Sequence, residues 1–470
     1  MRTSLRFASR PGGAPAAPPP GLERRLGALD GTLLTIGSVI GTGIFLTGGD
    51  VARAVGSPAL VLAVWATGGV LALAGALTYA ELGTLFPRAG GIYAYLKEAY
   101  GTPWGFFYGW ASLLVIMSGG IAAIAVGFGE YFGSFVPWFG SGHVPFSVPL
   151  GPWHWAPSGA QLAAAIAILA LTVVNHLGAG PGVATQNALT VLKVGAILAF
   201  IGLGFAGPAP AAAPAAAHAG PLLGAIGIAM VAALWTYDGW YGLTFSAGEL
   251  RNPERTLPVG LILGTLAVTA LYVGMNAVYL RALPGGALAA GTRSAEDAAR
   301  ALFGAGGARA MSLAVVVASF GCLASTILYS SRIYPSMAED GVFFRGIAGI
   351  HPRFRTPVRS LWLQSAWATV LALSGTYVQL FTWVTFAAVL FHVATGIAVF
   401  VLRARRPEAP RPYRVWGYPV VPALFIAGTG WLVVSALAEK PRESLLGLGC
   451  IALGWPAYAW WKRGDRAPRG

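Results

Sequence analysis

Long apolar runs recur along this chain, and they constrain its fold more than any other feature. A helix needs about 20 consecutive apolar residues to cross the hydrocarbon core of a bilayer, which is about 30 Å thick. Twelve runs of roughly that length are present, at approximately residues 32–50, 58–82, 104–132, 160–177, 187–206, 221–248, 257–281, 310–332, 359–375, 377–402, 417–437 and 444–462. We therefore predict a membrane protein with about twelve transmembrane helices.

The predicted fold class is all-α. Transmembrane strands are short and alternate apolar with polar residues, whereas these runs are continuous, and a helix satisfies its own backbone hydrogen bonds in lipid. The composition agrees, because a soluble domain of 470 residues would carry more charged residues than the 10% found here.

Basic residues are distributed unevenly between the two sides of the predicted bundle. With the amino terminus placed in the cytoplasm, the internal segments hold 23 of the 31 Lys and Arg residues and the external segments hold 7. The remaining one, Lys193, lies within a span. The positive-inside rule favours this orientation. We therefore expect both termini to be cytoplasmic and the protein to lie in the cell membrane, that is, the inner or plasma membrane.

The net charge of +14 points to membrane lipids as partners. The basic residues are spread over loops beside apolar helices and form no basic face on a soluble module, so we expect contacts with anionic headgroups and no nucleic acid. Residues 1–30 are basic and Pro/Ala-rich at first, and we expect a flexible cytoplasmic tail there. The low-complexity residues 206–220 are expected to be an external linker.

The sequence carries no pattern typical of an enzyme or of an ATP-driven pump. Its two cysteines, Cys322 and Cys450, lie in apolar runs and supply neither a disulfide framework nor a zinc ligand set. It contains no HExxH motif and no Gly-rich phosphate loop followed by Lys-Ser or Lys-Thr. We therefore expect no catalytic residues, no metal and no cofactor, with energy supplied by a gradient or by exchange.

Two predicted spans contain weak points near the middle of the membrane. The first carries three glycines in "GSVIGTGIF" (37–45), and the sixth carries Asp238 and Gly239. Backbone that is not helical at this depth is tolerated only where it faces protein or a water-filled cavity. Freed amides suit a carboxylate and freed carbonyls suit an ammonium group, and a free amino acid carries both. Close packing of helices is the alternative explanation for the glycines.

Five stretches in a fixed order carry a family resemblance. They are "GSVIGTGIF" (37–45), "YAELGTLFPRAGGIYAYLKEAYG" (79–101), "YDGWYGLTFSAGELRNPERTLP" (237–258), "SSRIYPSMAEDG" (330–341) and "HPRFRTP" (351–357). With them the chain resembles the amino acid–polyamine–organocation superfamily of permeases, which share the LeuT-like fold.

The resemblance implies a division of the chain. Residues 31–206 and 207–403 would form two inverted five-helix repeats, which fits the five-span offset between the two weak points. Residues 404–470 would hold two peripheral helices and the cytoplasmic carboxyl terminus.

The resemblance also implies a substrate site at the two weak points. The carboxylate of an amino acid would lie against the amides of Gly41, Thr42, Gly43 and Ile44. Its ammonium group would meet carbonyls near Ile40 and around Trp235, Thr236 and Gly239. Trp235 matches the gating aromatic residue of relatives, although packing or anchoring at an interface is an alternative role.

Lys193 lies about 10 Å into the fifth span by helical rise. It could extend to the surface along the lipid face, or it could face the bundle interior and load and release a proton. The resemblance favours the second role, because sodium-coupled relatives hold an ion where proton-coupled or exchanging members place such a lysine. Hydroxyls of Ser325 and Thr326 in the eighth span would face it. We therefore expect proton coupling without sodium.

Asp238 lies near the midplane, where a bare carboxylate is unfavourable. It could recognise a cationic side chain such as that of arginine or lysine, or it could cap broken backbone amides. By contrast, Glu81, Glu130, Glu249 and Arg332 fall at the ends of spans, where we expect water or headgroups to reach them. The charged stretches 248–258 and 337–357 are expected to form a cytoplasmic latch or simply to be solvated loops.

The function that follows is a secondary transporter that moves amino acids by alternating access around a midplane site. Obligatory exchange of amino acids is the main alternative to proton symport. A sensor of the same fold that binds amino acids without transporting them is a further alternative.

Overall fold

The computed structural model describes residues 24–151, 153–207, 222–375, 377–439 and 441–464. Residues 1–23 of the predicted tail and all but the first two residues of the predicted linker 206–220 lie outside the described residues.

The first half of the chain is helical apart from one short hairpin. Its helices are α1 (Ala28–Val39), α2 (Gly43–Leu46), α3 (Gly48–Val55), α4 (Pro58–Leu85), α5 (Ile92–Tyr100), α6 (Thr102–Ala111), a π-helical turn (Ser112–Ile116), α7 (Met117–Phe132), a 3₁₀ turn (Pro137–Phe139), α8 (Gly159–His176) and α9 (Ala179–Ala206). The hairpin pairs β1 (Val148–Leu150) with β2 (Trp153–Trp155) in antiparallel fashion.

The second half has the same character. It comprises α10 (Leu222–Tyr237), a 3₁₀ segment (Gly242–Glu249), α11 (Pro253–Ala282), α12 (Ala287–Ala290), α13 (Ser294–Ser330), α14 (Ile333–Glu339), a 3₁₀ turn (Arg345–Ala348), α15 (Val358–Ser374), α16 (Tyr377–Arg405), α17 (Val420–Glu439), α18 (Pro441–Ala452) and α19 (Gly454–Gly464). The all-α prediction is therefore confirmed.

Nine helical segments within the described ranges are long and apolar enough to cross a membrane. They correspond to nine of the twelve predicted runs. The other three runs coincide with shorter helices: the interrupted series α1 to α3, the 17-residue α15, and the pair α18 and α19. The first run is not among the nine long helices because it is divided into three short ones.

Local sequence signals explain where several helices begin. Proline occupies the first turn of α4, α6 and α11, where its missing N–H has no intrahelical role. Ser158 caps α8 by accepting from the amide of Gln161, whose side chain accepts from the Ser158 amide in return.

The interrupted helices lie inside the bundle. α1 packs against α9, α11 and α13, while α10 packs against α3, α4 and α17. Helices from both halves of the chain therefore surround each weak point.

Charges at three span ends are buried, and the expectation that water reaches them is wrong. Arg332 is 1% exposed, and its guanidinium donates to both carboxylate oxygens of Glu249 at 2.7 and 3.2 Å. Glu81 is 2% exposed and accepts from Arg403 at 2.8 and 2.6 Å. A buried charge must be paired, and here the partner comes from a helix distant in sequence.

Candidate functional site

The first predicted break is present. α1 ends at Val39, Ile40 has an extended conformation (φ −74°, ψ 91°), and the helix resumes at Gly43. The interruption therefore covers Ile40 to Thr42, within the predicted glycine stretch.

The second predicted break is also present. α10 ends at Tyr237, and residues 238–241 form turns before the 3₁₀ segment. Gly239 has φ +100°, and a Cβ atom at this position would lie 2.5 Å from the carbonyl oxygen of Ser38. Both the left-handed conformation and the close approach require glycine.

The two breaks touch each other. The hydroxyl of Ser38 donates to the carbonyl of Gly239 at 2.9 Å. On the far side of the first break and just before the second, the hydroxyls of Thr47 and Thr236 lie 2.8 Å apart. The breaks are thus held together by direct polar contacts.

Close packing explains the glycines of the first break as well. A Cβ atom on Gly37 would lie 2.4 Å from the hydroxyl of Thr190, and one on Gly43 would lie 2.8 Å from that of Thr236. The two explanations that the sequence left open therefore hold together, because α1 must be both interrupted and tightly packed.

One cavity lies between the breaks. Its lining includes Gly41, Thr42, Gly43, Trp235, Thr236, Asp238 and Gly239 from the predicted site, together with Tyr241, Cys322, Thr326 and Tyr329. About 490 Å³ of it is free of atoms, part of this space being open to solvent. Ile40 and Ile44 are fully buried and lie outside this lining.

The third span contributes a feature that the sequence analysis missed. Between α6 and α7 the backbone takes one π-helical turn at Ser112–Ile116. Ile116, Met117 and Gly120 then line the cavity. Turns of this kind occur frequently at functional sites, but no sequence pattern identifies this one.

Lys193, a residue of α9, faces the bundle interior and contacts the carboxyl end of α1. Its side chain is 1% exposed, and its Nζ atom donates to the carbonyls of Gly37 and Ile40, each at 2.7 Å. The carboxyl end of a helix leaves carbonyls unpaired and carries partial negative charge. The buried ammonium group of Lys193 both donates to the unpaired carbonyls and compensates the partial negative charge of the helix end.

Two further side chains complete this helix end, and neither was predicted. The thiol of Cys322 donates to the carbonyl of Ser38 at 3.2 Å. The hydroxyl of Tyr272 lies 3.0 Å from the carbonyl oxygen of Val39 and 3.2 Å from that of Thr236, so it links the two breaks. Four successive carbonyls, from residue 37 to residue 40, therefore have side-chain donors.

The predicted hydroxyls of α13 lie beside this helix end but bond within their own helix. Ser325 donates to the carbonyl of Gly321 at 3.0 Å, and Thr326 donates to that of Cys322 at 2.9 Å. The Ser325 hydroxyl is nevertheless close to α1, since it lies 3.2 Å from the position of a Cβ atom on Gly37.

Asp238 has polar partners from two directions. Its carboxylate accepts from the hydroxyl of Tyr241 at 3.3 Å and lies 3.9 Å from Nε2 of His392. The side chain keeps 28% of its exposure. His392, which belongs to α16, is, like Cys322 and Tyr272, a residue that the sequence analysis did not select.

Ion pairs connect helices on the predicted internal side. Asp340 accepts from the hydroxyl of Tyr93 at 2.6 Å and from Lys97. Partial burial raises the pKa of Glu98, but hydrogen bonds and charges from Arg406 and Arg88 outweigh it, so this pKa lies below its ordinary value. These contacts join α5 to α14 and to the end of α16.

The chain resembles known proteins along most of its length. It matches the amino acid permease family over residues 26–444. It is 33% identical over 441 residues to a serine/threonine exchanger of Bacillus subtilis (strain 168), which covers 93% of this chain and 97% of that protein. It is 32% identical over 431 residues to the b(0,+)-type amino acid transporter 1 of Homo sapiens, covering 90% and 85%. The cystine/glutamate transporter of Homo sapiens is 28% identical over 460 residues, covering 96% and 89%.

Proposed function

We propose that this chain binds its substrate in the cavity between its two helix breaks and transports it without sodium. The chain belongs to the amino acid permease family and moves amino acids across a membrane. One observation carries this proposal: Gly41, Thr42 and Gly43 line the same cavity as Trp235, Thr236, Asp238 and Gly239. Main-chain groups freed inside a membrane need polar partners, and a zwitterion supplies both kinds.

The substrate carboxylate is placed against the amides of Gly41 to Ile44, at the amino end of the resumed helix. For the ammonium group, the carbonyl of Gly239 is the weakest candidate, because it already accepts from Ser38 and from the amide of Gly242. A carbonyl oxygen has two lone pairs. The carbonyl of Thr236, a residue of the cavity lining, is therefore the preferred ligand, whereas that of Ile40 lies outside the lining and already accepts from Lys193.

Alternating access requires that one part of the bundle moves against another. We assign residues 31–206 and 207–403 to two inverted repeats because each opens with a broken helix. Trp235 lines the cavity and is proposed as the gate on one side of the substrate. Both termini are placed in the cytoplasm, and the protein in the cell membrane, on the distribution of basic residues.

Lys193 supports independence from sodium. In transporters with broken helices, unwound carbonyls coordinate the coupling cation. Here the carbonyls of Gly37 and Ile40 are already bound by an ammonium group. We propose that a proton on Lys193 takes the place of that cation, so that symport couples amino acid and proton.

Obligatory exchange is the second candidate. It is favoured by the similarity to the serine/threonine exchanger, which is a relative along nearly the whole chain. In this mode Lys193 would keep its charge throughout the cycle and act as a fixed counter-ion for the helix end.

Uptake of labelled serine, threonine and arginine into liposomes that contain the purified protein tests these proposals. We expect equal uptake in sodium and in potassium buffer, and a sodium requirement would contradict the role of Lys193. Uptake into empty liposomes driven by an inward proton gradient indicates symport, whereas uptake that needs internal amino acid indicates exchange. Binding without uptake under any of these conditions would favour the sensor.

A further inference from the structure

A second cavity lies directly beside the first. It is enclosed by α4, α10, α16 and α17, and its lining is largely apolar: Leu71, Ala72, Leu234, Trp240, Val389 and Phe425. Trp235 and Asp238 line both cavities. Asp238 and His392 are the two ionisable members of this second lining. A substrate side chain that passes Trp235 therefore meets this pair of residues.

The imidazole of His392 is held in one orientation. Its Nδ1 atom lies 2.7 Å from the hydroxyl of Tyr79. The rings of Trp240 and Tyr241 pack against it, with centroids at 5.7 and 4.8 Å. If the Tyr79 hydroxyl donates to Nδ1, the proton of the neutral ring is on Nε2. Nε2 is the atom that faces the carboxylate of Asp238, at 3.9 Å.

We propose that His392 determines whether the site prefers a cationic or a neutral amino acid, by setting the net charge around Asp238. This inference rests on the proposed function of the same cavity. With His392 neutral, the pair carries one negative charge, which a cationic side chain compensates. With His392 protonated, the pair is already neutral, and a neutral side chain leaves no charge unpaired. An unpaired charge at this depth is strongly disfavoured.

The other titratable groups around the pair are tyrosines and one cysteine. Cys322 and Tyr329, both of α13, line the first cavity together with Asp238. Tyr79 from α4 contacts the ring directly, and Tyr95 of α5 packs against Tyr79 with centroids 6.3 Å apart. Tyr241 approaches both His392 and Asp238, and Tyr108 packs against the neighbouring Phe391. Tyrosine and cysteine side chains are ordinarily neutral near pH 7. Histidine is the side chain whose charge ordinarily changes between about pH 5 and 8.

The first test uses the unmodified protein. The affinities for arginine and for serine are measured by thermal stabilisation of the purified protein at about pH 6 and at about pH 8. We expect the ratio of arginine affinity to serine affinity to rise about fivefold or more between these pH values, as is typical of coupled sites. A ratio that stays constant would overturn the inference.

Variants identify the group responsible. His392→Gln keeps a polar group beside Tyr79 but no titratable charge, so its ratio should stay constant and equal the high-pH ratio of the unmodified protein. Asp238→Asn should lower the ratio at both pH values, because the pair then carries no negative charge. His154→Gln, at an exposed position of β2, is the matched control and should keep the pH dependence. A pH-dependent ratio that survives in His392→Gln would contradict the role of His392.

The ratio separates this inference from the proposed function. Lys193 contacts main-chain carbonyls of α1 and not the cavity for the substrate side chain. Its protonation should therefore change the affinities for arginine and serine by the same factor and leave their ratio unchanged. Loss of all uptake in liposomes, with binding intact, would contradict transport and leave the inference standing. Uptake with a constant ratio would leave transport standing and remove the role of His392.

Discussion

The ammonium group of Lys193 lies 2.7 Å from the main-chain carbonyl of Ile40, the residue at which the first transmembrane helix unwinds. A second carbonyl, that of Gly37, accepts from the same nitrogen at 2.7 Å. The helix end and the buried charge therefore stabilise each other, and each proposal about coupling depends on this contact.

Replacing Lys193 tests the contact directly. Lys193→Ala leaves two buried carbonyls without this donor, at a cost of about 1–3 kcal/mol for each such group. We expect a lower melting temperature and at least about a tenfold loss of uptake, an effect that about 1.4 kcal/mol suffices to produce. Lys193→Gln keeps a donor but no titratable charge, and it should recover stability without pH-dependent uptake. Unchanged uptake by Lys193→Ala across about pH 5 to 8 would contradict the coupling role.

Tyr272→Phe removes the hydroxyl that links the two breaks. We expect a loss of stability of about 0.5–1.5 kcal/mol, typical of one hydrogen bond, together with a higher KM, since the carbonyls of Val39 and Thr236 are no longer held in place. Tyr100→Phe removes a hydroxyl bonded to the carbonyl of Ala394 at 2.8 Å, away from the cavity. This control should lose similar stability at constant KM, as measured by thermal denaturation and uptake.

Gly239→Ala should abolish uptake. The substitution combines a left-handed conformation, which costs about 1–2 kcal/mol for residues other than glycine, with a Cβ atom 2.5 Å from the carbonyl oxygen of Ser38. Gly195→Ala in α9 has open space around the new methyl group and should be tolerated or mildly stabilising. Comparable uptake by both variants would show that the second break tolerates a side chain.

The buried pair of Glu249 and Arg332 should be intolerant of losing one partner. Glu249→Ala leaves a buried guanidinium without its carboxylate, which costs about 3–5 kcal/mol. We expect a large fall in melting temperature in detergent. Asp50→Ala breaks an exposed pair with Arg53 and should cost less than about 1 kcal/mol. Equal effects of the two substitutions would contradict the importance of burial.

Glu98 should make stability depend on acid pH. Its pKa is lower in the folded protein than in the unfolded chain, so its contribution is present above the unfolded pKa and is lost as the pH falls through the folded pKa. The contribution is small because Arg88 and Arg406 are about half exposed. The difference in melting temperature between the unmodified protein and Glu98→Gln should therefore shrink as the pH falls below about 4. A difference that grows with acidity would have the wrong sign.

The sequence predicted the breaks well because their signals are local. Glycines at positions 41 and 43 and the Asp238–Gly239 pair weaken a helix wherever they occur inside one. Lys193 was found for a similar reason, since a charge in an apolar run stands out. These positions could be identified from the sequence without knowing which residues contact them in the folded protein.

The partners of those residues could not be found in this way. His392 and Tyr79 are 313 positions apart. Each lies in an apolar span, and nothing in the local sequence indicates that the two side chains meet in the folded protein. Tyr272 and Cys322 have the same character. The expectation of solvent around Glu81 was wrong because its partner, Arg403, lies 322 positions away. Contacts between distant spans determine these roles, and hydropathy does not encode them.

The segment that precedes α1 is joined to the end of the sixth span. The amides of Arg25 and Leu26 donate to the carbonyl of Glu249, and Leu26 pairs with Leu250 in a parallel β-bridge. Because these main-chain hydrogen bonds join the two segments, a displacement of either segment should also displace the other. α1 and the 3₁₀ segment that ends at Glu249 are therefore linked through their main chains, and we expect any movement that opens this end of the bundle to displace both together.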